Sequence, residues 1–133
     1  MNIPNAIKNL KSVRAVLERT PAQEVNLDMW TDKTACGTLH CIGGHFCSSS
    51  EGQELGLILD KIHCPFHVSS EQVDFRALET ALGITAEMTF DIFTAGIYEE
   101  ENTGPGMDID HKTVGIARID KAIKQLEAEY ELR

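Results

Sequence analysis

The sequence predicts an all-α protein that forms a single compact domain of five or six short helices. Its 133 residues are 42% hydrophobic and 25% charged, which is the normal range for one soluble globular domain. Apolar residues recur at the three- and four-residue spacing of a helix in several windows. Sustained alternation of apolar and polar residues, the pattern of a half-buried strand, is not found.

The first predicted helix runs from Pro4 to Arg19. Pro4 suits a first helical turn, and lysine and arginine occupy the polar face. Thr20 and Pro21 end the helix, because the residue before a proline is pushed out of helical geometry. The apolar stripe contains Ala6, Ile7, Leu10, Val13, Val16 and Leu17.

An irregular segment, residues 25–33, follows and contains Trp30, the only tryptophan, which we expect in the core. Thr38 is suited to cap a second helix that runs to about Cys47. The pair Gly43-Gly44 costs that helix about 1–2 kcal/mol relative to alanine. Such a cost is tolerated where another element approaches the backbone closely.

The middle of the chain is predicted to contain a break, a short helix and a loop. Residues 48–52 hold three serines and a glycine and indicate the break. Residues 54–62 are apolar at mixed spacing, and we favour a short helix there. Residues 63–67 are then a loop, because Pro65 blocks helix continuation.

Three further helices are expected. Ser69 and Gln72 resemble a capping box before a helix that ends at Gly83. Thr85 caps the next helix, and a last helix spans about 112–129. The apolar stripe of the last helix contains Ile116, Ile119, Ile123, Leu126 and Tyr130.

The net charge of −9 argues against nucleic acid as a direct partner and against anionic membrane surfaces. It fits either solubility or a basic protein partner instead. Residues 98–108 combine Glu99, Glu100 and Glu101 with Gly-Pro-Gly and predict a flexible acidic loop. These glutamates are either a solvated turn or a loop that binds a partner.

The N-terminus lacks the pattern of a signal peptide, and no apolar run approaches the ~20 residues that span a bilayer. We therefore expect a cytoplasmic location, where the four cysteines stay free or bind metal. The sequence does not indicate the oligomeric state.

Residues 36–47 form a cluster with three of the four cysteines and two of the five histidines. These are Cys36, Cys41, Cys47, His40 and His45. The density of thiols and imidazoles supports three interpretations: a zinc site, a reactive thiol, or a tightly packed helix.

In the zinc interpretation, a helix points Cys36, His40 and Cys47 one way and Cys41 and His45 another. Each group contains an i, i+4 pair that could share one ion, but the split between two faces and the absence of a Cys-x-x-Cys knuckle count against the site. The loop that follows offers further ligands: His63, Cys64 and His67.

In the second interpretation Cys36 is a nucleophile, because a helix start lowers the pKa of a thiol. Gly37 and Thr38 would leave room for an oxyanion, with His45, His63 or His67 as the base. In the third interpretation, which we favour, the cysteines are small packed hydrophobic residues beside Trp30.

The segment from Trp30 through Cys36-Gly37-Thr38-Leu39-His40-Cys41-Ile42-Gly43-Gly44 resembles a W…CGTxxCxxG pattern of small uncharacterised phage and bacterial proteins. The wider layout is similar at Leu27-Asp28-Met29-Trp30, Leu82-Gly83-Ile84-Thr85 and Arg118-Ile119-Asp120. His45 departs from the tryptophan that is common in those proteins. The resemblance implies a similar fold and a phage-linked context, and it implies no mechanism.

We therefore predict a non-enzymatic accessory protein of the phage type that binds a host protein or sequesters a small-molecule ligand, with counteraction of host defence as a candidate role. The alternatives are an enzyme with Cys36 as nucleophile and a zinc-stabilised binding domain. We assign no catalytic residue, metal ligand or cofactor. The candidate binding residues are Trp30, Cys36, Cys41, His45, Glu99, Glu100 and Glu101.

Overall fold

Helices dominate the part of the chain that the structure describes, as the sequence predicts. The structure is a computed structural model that describes residues 1–21, 42–60, 64–93 and 111–132. Its elements are α1 (Ile3–Arg19), α2 (Ile42–Cys47), α3 (Ser50–Glu54), β1 (Leu57–Leu59), β2 (Pro65–His67), β3 (Gln72–Val73), α4 (Asp74–Leu82), α5 (Ala86–Phe93) and α6 (His111–Glu131). The all-α prediction is correct for the helices, but it missed a small three-stranded sheet.

Helices α1 and α6 pack along each other and form the largest contact in the described residues. The Nζ of Lys112, in the first turn of α6, donates to the carbonyls of Glu18 and Thr20 at 2.7 and 2.8 Å. Asp120, about two turns after Lys112 in α6, accepts from Arg14, which precedes Glu18 in α1, so the two helices run antiparallel. An amine from α6 therefore satisfies carbonyl groups that the end of α1 leaves free.

The apolar stripe of α1 packs with those of α2, α4, α5 and α6 in one hydrophobic core. The stripe predicted for the last helix is buried at Ile119, Ile123 and Leu126. The prediction is wrong for Tyr130, which is 53% exposed near the end of the helix. The largest fully buried side chains are Phe46, Phe93, Ile3, Leu10, Leu17, Ile42, Leu57, Leu78, Leu82, Ile92 and Ile119.

Residues 48–52 are not a simple break, because most of them form the short helix α3. The Oγ of Ser49 accepts from the backbone N–H of Gly52 at 3.0 Å and caps this helix. A Cβ on Gly52 would lie 2.0 Å from the carbonyl oxygen of Phe46. Glycine at this position therefore lets α3 approach the backbone of α2 closely.

The sheet occupies the region that we predicted to be a helix over 54–62 and a loop over 63–67. It has the strand order β1-β2-β3 with both pairings antiparallel. Gly56, with a φ of +82°, sets the turn before β1. Pro65 is tolerated because it is the first residue of β2, as prolines in sheets commonly are.

The boundaries of α4 and α5 were partly predicted. The capping box at Ser69 and Gln72 is wrong, because Gln72 pairs in β3 and α4 begins only at Asp74. Gly83 ends α4 in the left-handed conformation with a φ of +71°, as predicted. The Oγ1 of Thr85 accepts from the N–H of Met88 at 3.1 Å, which confirms the predicted cap of α5.

Among the described residues, no helix combines the length and the apolar character that crossing a membrane requires.

Candidate binding surface

The predicted binding residues fall almost wholly outside the described residues. Trp30, Cys36 and Cys41 lie in residues 22–41, and the three glutamates lie in residues 94–110. The start of the second predicted helix and the acidic loop are in the same segments. His45 is described: it is partly exposed on α2, between buried neighbours.

The two described cysteines have different chemistry. Cys47 is a thiol outside any disulfide and is 1% exposed, which agrees with the packing interpretation for this residue. Cys64 is disulfide-bonded and 3% exposed, so the expectation that the cysteines stay free or bind metal is wrong for it. A disulfide sulfur is not a thiolate, and the zinc ligand set that included Cys64 is wrong.

The outer face of the sheet carries a row of apolar side chains that the sequence analysis missed. Ile58 is paired with Phe66, and Phe66 is paired with Val73. Residues that are directly paired across strands project from the same face of a sheet, so these three side chains are neighbours. Val68 lies two residues beyond Phe66, and its N–H donates to the carbonyl of Gly56 at 2.9 Å, which continues the pairing.

We call Ile58, Phe66, Val68 and Val73 the sheet row. Ile58 is 42% exposed, Val73 is 47% exposed and Val68 is 53% exposed, while Phe66 is half-buried. On the opposite face, Leu57 is fully buried in the core. The sheet thus has one apolar face that packs on the core and a second apolar face that is turned outward.

The turn between β2 and β3 holds the sheet row in place. The Nδ1 of His67 lies 2.6 Å from the Oγ of Ser70, which also donates to the side chain of Gln72 at 3.2 Å. Thr80 of α4 donates to the same oxygen of Gln72. Glu71 completes the turn with a φ of +60°. This chain of hydrogen bonds fixes the strands to the last turn of α4.

Helix α5 carries an exposed aromatic side chain, Phe90. Phe90 is 49% exposed, and its ring centroid is 6.5 Å from that of Phe75 with a tilt of 53°. Phe75 is half-buried at the start of α4, two residues after Val73. Tilted aromatic pairs of this kind are favourable beyond the area they bury.

The sheet and the two helices that follow it are strongly acidic. In the sequence, residues 57–93 carry six carboxylates and two basic side chains, Lys61 and Arg76. By contrast, α1 carries four basic side chains and one glutamate. Burial raises the pKa of Asp74, and the negative charge of Asp60 raises this pKa further. Negative charge is therefore concentrated beside the sheet row.

A comparison with family models, curated proteins and solved structures gave no match. The resemblance to small phage and bacterial proteins stays a prediction, and the function has to be argued from the surface itself.

Proposed function

We propose that the protein acts without catalysis, by binding a partner protein through the outer face of its sheet. The observation that carries this proposal is the sheet row. Single exposed apolar side chains are normal on protein surfaces, whereas adjacent ones in pairing register form a continuous patch. Patches of this kind are typical of interaction sites.

A protein suits this surface better than a small molecule. Small-molecule sites are concave and enclose most of the ligand, whereas the sheet row is an exposed face. Open depressions of about 500 and 610 Å³ lie on the outer faces of α1 and α6. Both depressions are wide open to solvent, and lysines stand along them, Lys8 and Lys11 on α1 and Lys121 and Lys124 on α6, so neither encloses a ligand as a small-molecule pocket does.

The phage-like resemblance supports a host protein as the partner, with counteraction of host defence as the role. The enzymatic alternative depends on Cys36, which lies outside the described residues. No contact of the described residues favours it.

Site-specific photo-crosslinking tests the proposal. A benzoyl-phenylalanine replaces Ile58 on the sheet row or, as the matched control, Tyr130, an exposed aromatic residue on α6. We expect a discrete adduct with one host protein from position 58 and none from position 130. The proposal fails if position 58 gives no adduct or if both positions give the same set.

Two variants check the result by affinity. I58T/V73T removes the apolar contact but keeps β-branched side chains that suit strands. This variant is expected to lose most binding of the crosslinked protein, whereas Y130T is expected to keep it. The variant E99Q/E100Q/E101Q tests whether the predicted acidic loop adds to the same binding.

A further inference from the structure

We infer that the partner presents a basic amphipathic segment to the sheet row, an apolar stripe flanked by lysine or arginine. This inference rests on the proposed function and adds the chemistry of the partner. Its two supports are the size of the sheet row and the charge around it.

The sheet row is about as wide as one helix or strand. Neighbouring strands lie about 4.8 Å apart, so the line from Ile58 through Phe66 to Val73 is about 10 Å long. Val68 extends the patch by about 7 Å along β2, because a strand rises about 3.3 Å per residue. A helix with its side chains is about 10–12 Å across. The sheet row thus fits the apolar stripe of a single segment.

An apolar patch of this size is smaller than a stable interface. Specific interfaces bury about 800 Å² on each partner, with an apolar centre and a polar rim. The surroundings of the sheet row must therefore supply the rest of the contact, and their charge selects the partner.

That rim is acidic. Asp60 comes two residues after Ile58, directly after the end of β1. Asp74 directly follows Val73, at the end of β3. The charge of Asp60 acts on Asp74, so the two carboxylates lie close enough to repel each other. A lysine or arginine of the partner would relieve this repulsion. On α5, Glu87 and Asp91 lie within one helical turn of the exposed Phe90.

The same charge disfavours two other occupants. If a second copy docked through the same face, two acidic rims would meet, and like charges across an interface weaken binding. An anionic membrane surface would be repelled for the same reason.

Binding of three synthetic peptides tests the inference. The first is an 18-residue amphipathic helix of leucine and lysine, the second has glutamate in place of lysine, and the third is a scrambled leucine–lysine sequence without a stripe. Fluorescence anisotropy with the full chain is expected to show binding of the first peptide at least about 10-fold tighter than of the other two. The affinity should also fall several-fold as salt is raised from low to moderate ionic strength.

Two pairs of substitutions locate the site. D60N/D74N removes two rim charges, and E127Q/E131Q removes two charges from the exposed face of α6 as the matched control. Asparagine keeps the oxygen that accepts from the N–H of Cys64 at 3.0 Å and tolerates the φ of +56° at position 74. We expect D60N/D74N to weaken binding about 5-fold or more and to reduce its salt dependence, with little change from the control pair.

The inference is overturned if the glutamate or scrambled peptide binds equally well, or if both pairs of substitutions act alike. If circular dichroism shows that D60N/D74N is unfolded, the V73T variant is measured in its place. The inference then requires that V73T lose binding of the leucine–lysine peptide. The proposed function fails separately, when position 58 crosslinks to no host protein. A crosslinked partner whose contact segment is not basic would refute the inference alone.

Discussion

The helical side of the molecule and its sheet side differ in what they bury. The helical side, α1 with α2, α3 and α6, turns its apolar stripes inward and its lysines and glutamates outward. The sheet side, β1–β3 with α4 and α5, buries one apolar face and leaves a second one exposed. The first pattern is sufficient for a stable core. The second adds exposed apolar area that folding does not need, which is why we assign binding to the sheet side.

Gly52, the glycine of α3 that faces the backbone of α2, gives the largest expected effect. G52A would place a Cβ 2.0 Å from the Phe46 carbonyl oxygen, and a backbone atom cannot move aside as a side-chain end can. We expect a loss of about 3 kcal/mol in the free energy of unfolding, measured by urea denaturation. This result would show that the helical side depends on close backbone packing.

G83A is the matched control for G52A. No atom lies within 4 Å of the new Cβ, but the φ of +71° is unfavourable for alanine. That strain costs about 1–2 kcal/mol. A smaller loss for G52A than for G83A would contradict the packing argument.

Asn9 connects the two sides and gives the next largest effect. Its buried Nδ2 donates to the carbonyl of Leu82, at the end of α4, at 3.0 Å. N9A leaves this carbonyl without that donor and is expected to cost about 1–3 kcal/mol in thermal or urea unfolding. N5A, at an exposed position of the same helix, should change the stability by about 0.5 kcal/mol or less. Equal effects of the two substitutions would mean that the connection is unimportant.

The two sides also differ in how well the sequence predicts them. In α1 and α6, 17 and 21 residues repeat the helical spacing many times, so the pattern is unambiguous. Gly83 and Thr85 are recognisable because local geometry alone requires them. The strands have two or three residues each, too few to show alternation. The apolar run before Asp60 was therefore assigned to a helix.

The candidate surface was missed for a related reason. Ile58, Phe66 and Val73 are far apart in sequence, and only the strand register makes them neighbours. Gly56 and Pro65, which bound the first two strands, are the sequence signals for the sheet, because Pro65 excludes a helix and also suits the first residue of a strand. The disulfide of Cys64 is not expected from the sequence because the expected cytoplasmic location keeps thiols reduced.

The ion pair of Arg19 with Glu51 makes the helical side sensitive to acid. The hydrogen bond from Arg19 lowers the pKa of Glu51 to about 2. Because the folded pKa lies below the unfolded one, the pair stabilises the fold above about pH 4.5, and this contribution is lost as the pH falls towards 2. E51Q should flatten the fall of Tm over this range. E54Q, on the same helix, should retain it, and identical pH profiles of the two variants would contradict the assignment.

Asp74 gives the smallest expected change in stability, and its pH dependence is opposite to that of Glu51. Burial and then the charge of Asp60 raise its pKa, so the folded state favours the protonated carboxyl. The resulting stabilisation is present below the unfolded pKa, near 4, and is lost as the pH rises through the folded value. D74N should therefore raise the stability by a few tenths of a kcal/mol at pH 7, with the gain vanishing near pH 3.

D74N also tests whether binding belongs to the sheet side and not to the helical side. If the carboxylate of Asp74 serves binding, D74N must stabilise the fold and weaken the lysine-peptide complex together, a trade-off common at functional sites. E127Q on α6 should do neither. Thermal melting at pH 7 and pH 3, beside anisotropy titrations, checks both outcomes. A D74N protein that binds the peptide as tightly as the unaltered chain would leave the acidic rim of the sheet side without a role in binding.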